Sequence, residues 1–387
     1  MGWLDECYSI NDLRLAAQRR LPKGVFEFVD RGVEEEIALA NNLEAFHKVK
    51  LRNRVLVDID DVSLGTTLFG KPCGMPLAIS PTGSAGICWY EGELALARAA
   101  ATANVPVTLA TGSLTPMEKL AEEAGGRLWF QIVLWRDREL SYGPVKRALA
   151  AGFETLVLTV DSGLGSTREH SMRNGFTVPF KLSRKNIPDL MSHPGWLARV
   201  MLPYMLKTGI PRHENYPEGY QRHILAAMGE TKVLHGMQAR NTTWDDVDRL
   251  RDVWPRTLIV KGILRPDDAV QAVEHGADGI IVSNHGGRHM DSAVAPIDAL
   301  PGIVKAVGGR ATVMLDSGIR RGSDIVKAIA LGAKAVMIGR CTLYGVAVAG
   351  QAGAEHALAL LKTGYRETLG YVGCRNVAEI GPDVIAS

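Results

Sequence analysis

The sequence predicts a closed (β/α)8 TIM barrel with an N-terminal helical extension and a long insertion between its fourth and fifth strands. Three observations lead there. Eight apolar runs of strand length lie along the chain, with helical stretches between most of them, the order of an α/β fold. The runs are apolar throughout rather than alternating, so each is expected to be buried on both faces, as in a parallel sheet. Glycines and polar residues gather at the C-terminal ends of six or more runs, where a closed barrel brings them to one mouth. A doubly wound sheet is the competing arrangement and lacks that convergence.

Residues 1–70 stand outside the repeat and begin with a helix, Ile10–Arg20. The first strand is expected over 75–80, followed by an alanine-rich helix over 91–104. The second spans 105–110. After it, Thr115-Pro116-Met117-Glu118 has the spacing of a capping box with proline at the first helical position, opening a helix to Ala124. The third strand, 128–133, leads to a helix ending near Ala151-Gly152, and the fourth occupies 155–161. Residues 162–255 then precede the fifth strand at 257–262. Insertions of that length in compact domains are usually functional or mobile. Within it, residues 196–207 are apolar with basic flanks: a lid, a subunit-contact helix, or a segment lying on a membrane surface. The last strands fall at 279–284, 312–318 and 335–340, separated by helices such as 266–276. The chain from 1 to 387 reads as one domain.

With 46% hydrophobic and 22% charged residues among 387, a sizeable core can be buried. A formal charge of +2 gives no reason to expect a nucleic-acid partner. Cys7, Cys73, Cys88, Cys341 and Cys374 are scattered and include no C-x-x-C pair. Neither a disulfide framework nor a metal site is expected, and a reducing compartment such as the cytoplasm fits. No secretory signal and no apolar run of membrane-spanning length is apparent.

The strand ends hold the candidate chemistry. After Gly279-Ile280-Ile281-Val282 comes Ser283-Asn284-His285-Gly286-Gly287-Arg288, with Asp291 beyond it. A histidine and an arginine three apart, presented by glycines, suit a general base beside an anion clamp, with Asp161 orienting the other ring nitrogen. A lone histidine is more often structural; the glycines and Arg288 favour function. Asp316-Ser317-Gly318-Ile319-Arg320-Arg321-Gly322 and Gly339-Arg340 end the seventh and eighth runs. Glycines that admit an anion, a following helix N-terminus and arginine donors make a phosphate pattern, although the glycines would also serve tight turns. Lys261 is costly to bury without an anionic partner. A reduced flavin, Schiff-base chemistry, and an ion pair with Asp316 or Asp161 all meet that need.

Taken together, Ser283–Arg288 with Asp291, Asp316–Gly322 and Gly339-Arg340 resemble the FMN-dependent α-hydroxy acid oxidase and dehydrogenase family. The resemblance runs from Leu21-Pro22-Lys23 to Gly373-Cys374. It leans to the mandelate dehydrogenase branch through Leu331-Gly332-Ala333 and His193-Pro194-Gly195-Trp196. It implies FMN as cofactor, a small acid as substrate and a homotetramer. By resemblance, His285 is the base and Asp161 its partner, Arg288 and Arg168 hold the substrate carboxylate, and Lys261 stabilises the reduced flavin. Pro81, Thr82, Gln131, Thr159 and Ser283 would contact the ring system and ribityl chain. Asp316, Gly318, Arg320, Gly339 and Arg340 would hold ribityl and phosphate.

The departures concern the substrate. Phe28 and Val133 stand where the family usually has active-site tyrosines, Ala110 replaces a serine near the flavin, and the usual Arg-Gln-Leu-Asp becomes Arg288-His289-Met290-Asp291. A lost hydroxyl-to-carboxylate bond costs about 1 kcal/mol, or roughly 1.5–3 with a charged partner. Oxidation of a bulky or aromatic (S)-2-hydroxy acid to its 2-keto acid is therefore expected. The alternative keeps FMN but takes an amine, a modified peptide or a phosphonate. Non-redox readings, an isomerase or a lyase using Lys261, sit poorly with His285 and Asp161 together; a binding protein would fail to take up FMN. Gly83, alanine in many oxidases of the family, leans to an acceptor other than oxygen, such as a quinone. Residues 180–240 are the candidate contact with the inner membrane face.

Overall fold

The computed structural model describes residues 4–163, 165–176, 180–224 and 239–386. Eight parallel strands close a barrel in chain order. They are β3 (Leu77–Ile79), β4 (Val107–Ala110), β5 (Leu128–Ile132), β6 (Thr155–Thr159), β7 (Thr257–Ile263), β8 (Gly279–Val282), β9 (Thr312–Leu315) and β10 (Ala335–Ile338). Val336 pairs with Leu77 and Ile338 with Ile79, sealing β10 to β3. Every residue of β4, β5, β6, β8 and β10 is buried, as continuous apolarity requires.

Most strands stop short of the expected ends. β8 ends at Val282, β9 at Leu315 and β10 at Ile338. The polar residues that follow turn out of the sheet: His285, Ser317 and Gly318 have φ of 58°, 73° and 96°, which no strand tolerates. β7 instead continues through Ile263, with an irregularity between Lys261 and Ile263. Gly262 there has φ 108°, and a Cβ on it would lie 2.7 Å from the Asp161 side chain.

The capping box expected at Thr115 does not form. The helix is Met117–Ala124 with Pro116 as its N-cap. Thr115 Oγ1 instead donates to buried Glu93, and the Met117 amide donates to Asn215 Oδ1 at 2.9 Å. A residue of the insertion thus caps this helix, which no local spacing foretells. The extension supplies the expected helix Ile10–Arg20, then Lys23–Asp30 and Ile37–Lys48. It also holds an unexpected hairpin, β1 (Thr66–Leu68) with β2 (Lys71–Cys73). Phe69 at its tip meets Trp129 edge-on, with centroids 5.8 Å apart, and would touch any side chain at Gly279. Trp129 and Gly279 lie at the N-terminal ends of β5 and β8, so the hairpin closes the barrel end opposite the mouth.

In the insertion, Glu169–Asn174 and Ile187–Met191 are helical, residues 194–207 form a continuous helix with a π segment, and Trp244–Val253 leads into β7. Tyr204 is buried, whereas Leu202, Met205 and Leu206 are exposed. Residues 225–238 of the candidate membrane segment lie outside the described residues. Among the described residues no helix is long and apolar enough to cross a membrane. All five cysteines are buried, and none is in a disulfide.

Candidate active site

A cavity of about 410 Å³ opens at the C-terminal end of the barrel. His285, presented by the loop after β8, lines it. Its backbone amide donates to Ser283 Oγ at 3.0 Å, and Gly286 and Gly287 continue the left-handed turn. Behind it, His285 Nδ1 lies 3.0 Å from Asp161 Oδ1. Burial alone would raise Asp161, but His285 and Lys261 overcome it and hold the carboxyl far below its usual range. Burial lowers His285, with Asp161 opposing. An ionised carboxylate only accepts, so Nδ1 carries the proton and Nε2 is left as a neutral acceptor. That is the state a general base needs.

Lys261, at the end of β7, donates to Ser283 Oγ at 2.8 Å and pairs with Asp316 Oδ2 at 3.2 Å. Burial opposes its charge, but Asp316 and Asp161 raise its pKa, so the ammonium is kept beside the cavity. Of the readings open for Lys261, the ion pair is formed, and a stably charged ammonium is unsuited to Schiff-base attack.

Arg168 and Arg288 line the cavity with Phe28. Their guanidinium carbons stand 5.7 and 5.3 Å from the Phe28 ring centroid. Burial, with Arg168 and Arg340 nearby, pushes Arg288 well below its ordinary value. Crowded buried cations of this kind favour an anion between them. Arg288 also donates to the Phe28 carbonyl at 2.7 Å. Asp291 accepts from the amides of Glu35 and Ala38, fastening the extension to the same loop.

The far end of the cavity is formed by Asp316, Gly318 and Arg320 and by the start of the helix Arg340–Val372 at Gly339. Arg340 faces the cavity, yet its donors reach the carbonyls of Val29, Gly286 and Arg31 at 2.9–3.0 Å. Pro81, Thr82 and Gly83 line one wall. Asp161 and Ser283 sit behind the groups they hold. Ala110, Gln131, Val133 and Thr159 stand at or just beyond the ends of β4, β5 and β6 but do not line the cavity. Thr159 Oγ1 is a buried polar atom without a partner among the described residues. A flat polar cofactor with a phosphate fits these groups: a helix start and cationic donors at one end, glycine-lined walls, an orphaned hydroxyl and a charged lysine.

Sequence reasoning missed His213 and Tyr216, which the insertion brings to the cavity wall. Their only signal was aromatic and polar residues in a long loop at the mouth. It also gave His289 no role. Its ring meets His285 edge-on with centroids 4.1 Å apart, and both nitrogens are buried without a partner among the described residues. Asp161, His285 and His289 bring donor atoms within 4.8 Å of one another. Arg168 and Lys261 act on His289 as well, and their charge opposes a cation there.

The sequence pattern of the FMN-dependent dehydrogenases matches residues 17–387. The chain belongs to this family. It is 39% identical to (S)-mandelate dehydrogenase of Pseudomonas putida over 378 residues, covering 98% of this chain and 93% of that protein. It is 36% identical to a putative L-lactate dehydrogenase of Mycobacterium tuberculosis over 380 residues, 98% of this chain and 89% of the other. A crystal structure of the monotopic membrane protein (S)-mandelate dehydrogenase superposes with a TM-score of 0.91 at 38% identity, covering 98% of this chain and 99% of that one. As an FMN-dependent dehydrogenase of this kind, the protein is an oxidoreductase acting on the CH–OH group of a 2-hydroxy acid, with FMN as its cofactor.

Proposed function

We propose that this family member oxidises an aryl (S)-2-hydroxy acid of the mandelate kind to the 2-keto acid. The observation that carries this is the His285–Asp161 pair facing a cavity where two guanidiniums flank an aromatic ring rather than a phenol. Arg288 and Arg168 bind the carboxylate, Phe28 offers an apolar face to the side chain, and neutral His285 Nε2 takes the substrate proton. FMN, when bound, would supply the two-electron acceptor for this oxidation. Lys261 places a positive charge where the reduced cofactor would gain a negative one, and Asp316, Arg320 and the helix start at Gly339 would hold the ribityl chain and phosphate.

Anaerobic mixing of the holoenzyme with (S)-mandelate and with (S)-lactate tests the reading. Faster bleaching of the flavin by mandelate is expected; no bleaching by any 2-hydroxy acid would refute it. The exposed Leu202, Met205 and Leu206 beside Arg199 and Lys207 support peripheral attachment to a membrane, where a quinone would serve as acceptor. Retention of the protein on vesicles tests that attachment. The homotetramer rests on family resemblance, and light scattering measures it.

A further inference from the structure

His213 and Tyr216 are unused by the chemistry above. His213 is 4% exposed, and its Nδ1 lies 3.1 Å from the Gly112 carbonyl oxygen. A carbonyl only accepts, so Nδ1 donates. Burial lowers the ring's pKa to about 4, which keeps it neutral and leaves Nε2 as an acceptor. Tyr216 stacks on His213 with centroids 4.8 Å apart and planes at 18°, and meets Trp135 edge-on at 5.1 Å. Burial pushes its phenol up to about 12, so the hydroxyl stays protonated. Among the described residues, neither His213 Nε2 nor the Tyr216 hydroxyl has a hydrogen-bond partner, and both residues line the cavity.

Their place in the barrel decides what they meet. Gly112 follows β4, and Arg288 follows β8. In the closed order of eight strands these are four apart, on opposite sides of the mouth. A substrate gripped by its carboxylate at Arg288 therefore extends its side chain towards the pair. An acceptor and a donor on one stretch of the cavity wall suit a hydroxyl, which gives one hydrogen bond and takes another.

We propose that His213 and Tyr216 form a subsite for a hydroxyl at the distal end of the substrate's side chain, so that the preferred substrate is a ring-hydroxylated aryl 2-hydroxy acid. This rests on the reading of the cavity as an aryl 2-hydroxy acid site. The test compares (S)-mandelate, its 4-hydroxy derivative and (S)-lactate as anaerobic reductants of the wild-type holoenzyme and of Tyr216→Phe, which keeps the ring packing. Equilibrium titration with the matching keto acids accompanies it.

Wild type is expected to favour 4-hydroxymandelate over mandelate by about thirtyfold, the worth of two hydrogen bonds at roughly 1 kcal/mol each. Tyr216→Phe should cut that ratio about fivefold by losing only on the ring-hydroxylated compounds, the bond to His213 remaining. An unchanged ratio overturns the proposal. An equal loss on all three acids also overturns it, placing the phenol at the carboxylate instead. If wild type is bleached by none of them, the underlying reading falls and the subsite with it.

Discussion

Asp161→Asn keeps the shape of the pair behind His285 and removes its charge. His285 Nδ1 and Asp161 Oδ1 are 3.0 Å apart in a half-buried setting. With charge centres about 4 Å apart and an effective dielectric near 20, the ion pair formed when His285 takes the substrate proton is worth roughly 4 kcal/mol. Losing it should slow flavin reduction by about a thousandfold. Asp161 lies behind His285 and does not line the cavity, so FMN content and spectrum should be unchanged. The assay is anaerobic single-turnover reduction across pH. Asp161 raises the His285 pKa against burial; without its charge, the acid limb should move to lower pH while the plateau rate falls. A plateau within tenfold of wild type, or an acid limb moving upward, would refute the account of the dyad.

Phe28→Tyr restores a hydroxyl beside Arg168 and Arg288 and should raise reduction by lactate about tenfold while helping mandelate less; the ratio of the two single-turnover rates checks it. Gly83→Ala places a Cβ 3.6 Å from the Gly112 carbonyl oxygen, an ordinary contact. The variant should keep its melting temperature and be reoxidised faster in air-saturated buffer, read by stopped flow. Acid should destabilise the protein through His213 and His289, which burial lowers to about 4 and about 3. The unfolded chain binds more protons than the folded one below about 6.5, so stability is full above that pH and is lost as pH falls through these values. For His213 alone this is on the order of 3 kcal/mol. Denaturant midpoints at pH 7.5 and 5 measure it, and His213→Gln should flatten the slope.

The barrel was legible because each β/α unit announces itself locally. An apolar run such as 279–282 has one place to go, and the polar residues after it can only form the loop at the mouth. The meeting of Lys261 and Asp161 with their partners at the mouth was legible for a related reason, since charges at strand ends converge when the barrel closes. What stayed hidden depends on contacts distant in sequence. Thr115 looks like a cap until Glu93 takes its hydroxyl and Asn215 takes the amide it would have served. His213 and Tyr216 reach the cavity only because the insertion folds back over Gly112. The β1–β2 hairpin has almost no buried stripe of its own, and its packing beneath the barrel comes from Phe69 on Trp129. Val133, which the family resemblance makes a pocket residue, sits just beyond the end of β5 without lining the cavity.

Phe28 changes the partner of the proposed carboxylate clamp while leaving its two arginines in place. It lies in the helix Lys23–Asp30, whose C-terminal carbonyls carry the negative end of the helix dipole. Arg288 bonds the Phe28 carbonyl, and Arg340 bonds those of Val29 and Arg31. Asp30 is locked in turn by Arg14 at 2.6 Å and the Tyr344 hydroxyl at 2.7 Å. The helix is therefore anchored by its backbone and by Asp30, so its position does not depend on a hydroxyl at residue 28. With the ring fixed, its face is left against two guanidiniums, each contact worth about 0.5–1 kcal/mol or more when desolvated. The arginines are held for the carboxylate by an arene, and the space a phenol oxygen would occupy becomes apolar. An aliphatic acid gains nothing from that exchange. An aryl acid does, which is why the missing tyrosine points to a change of substrate and not to a loss of activity.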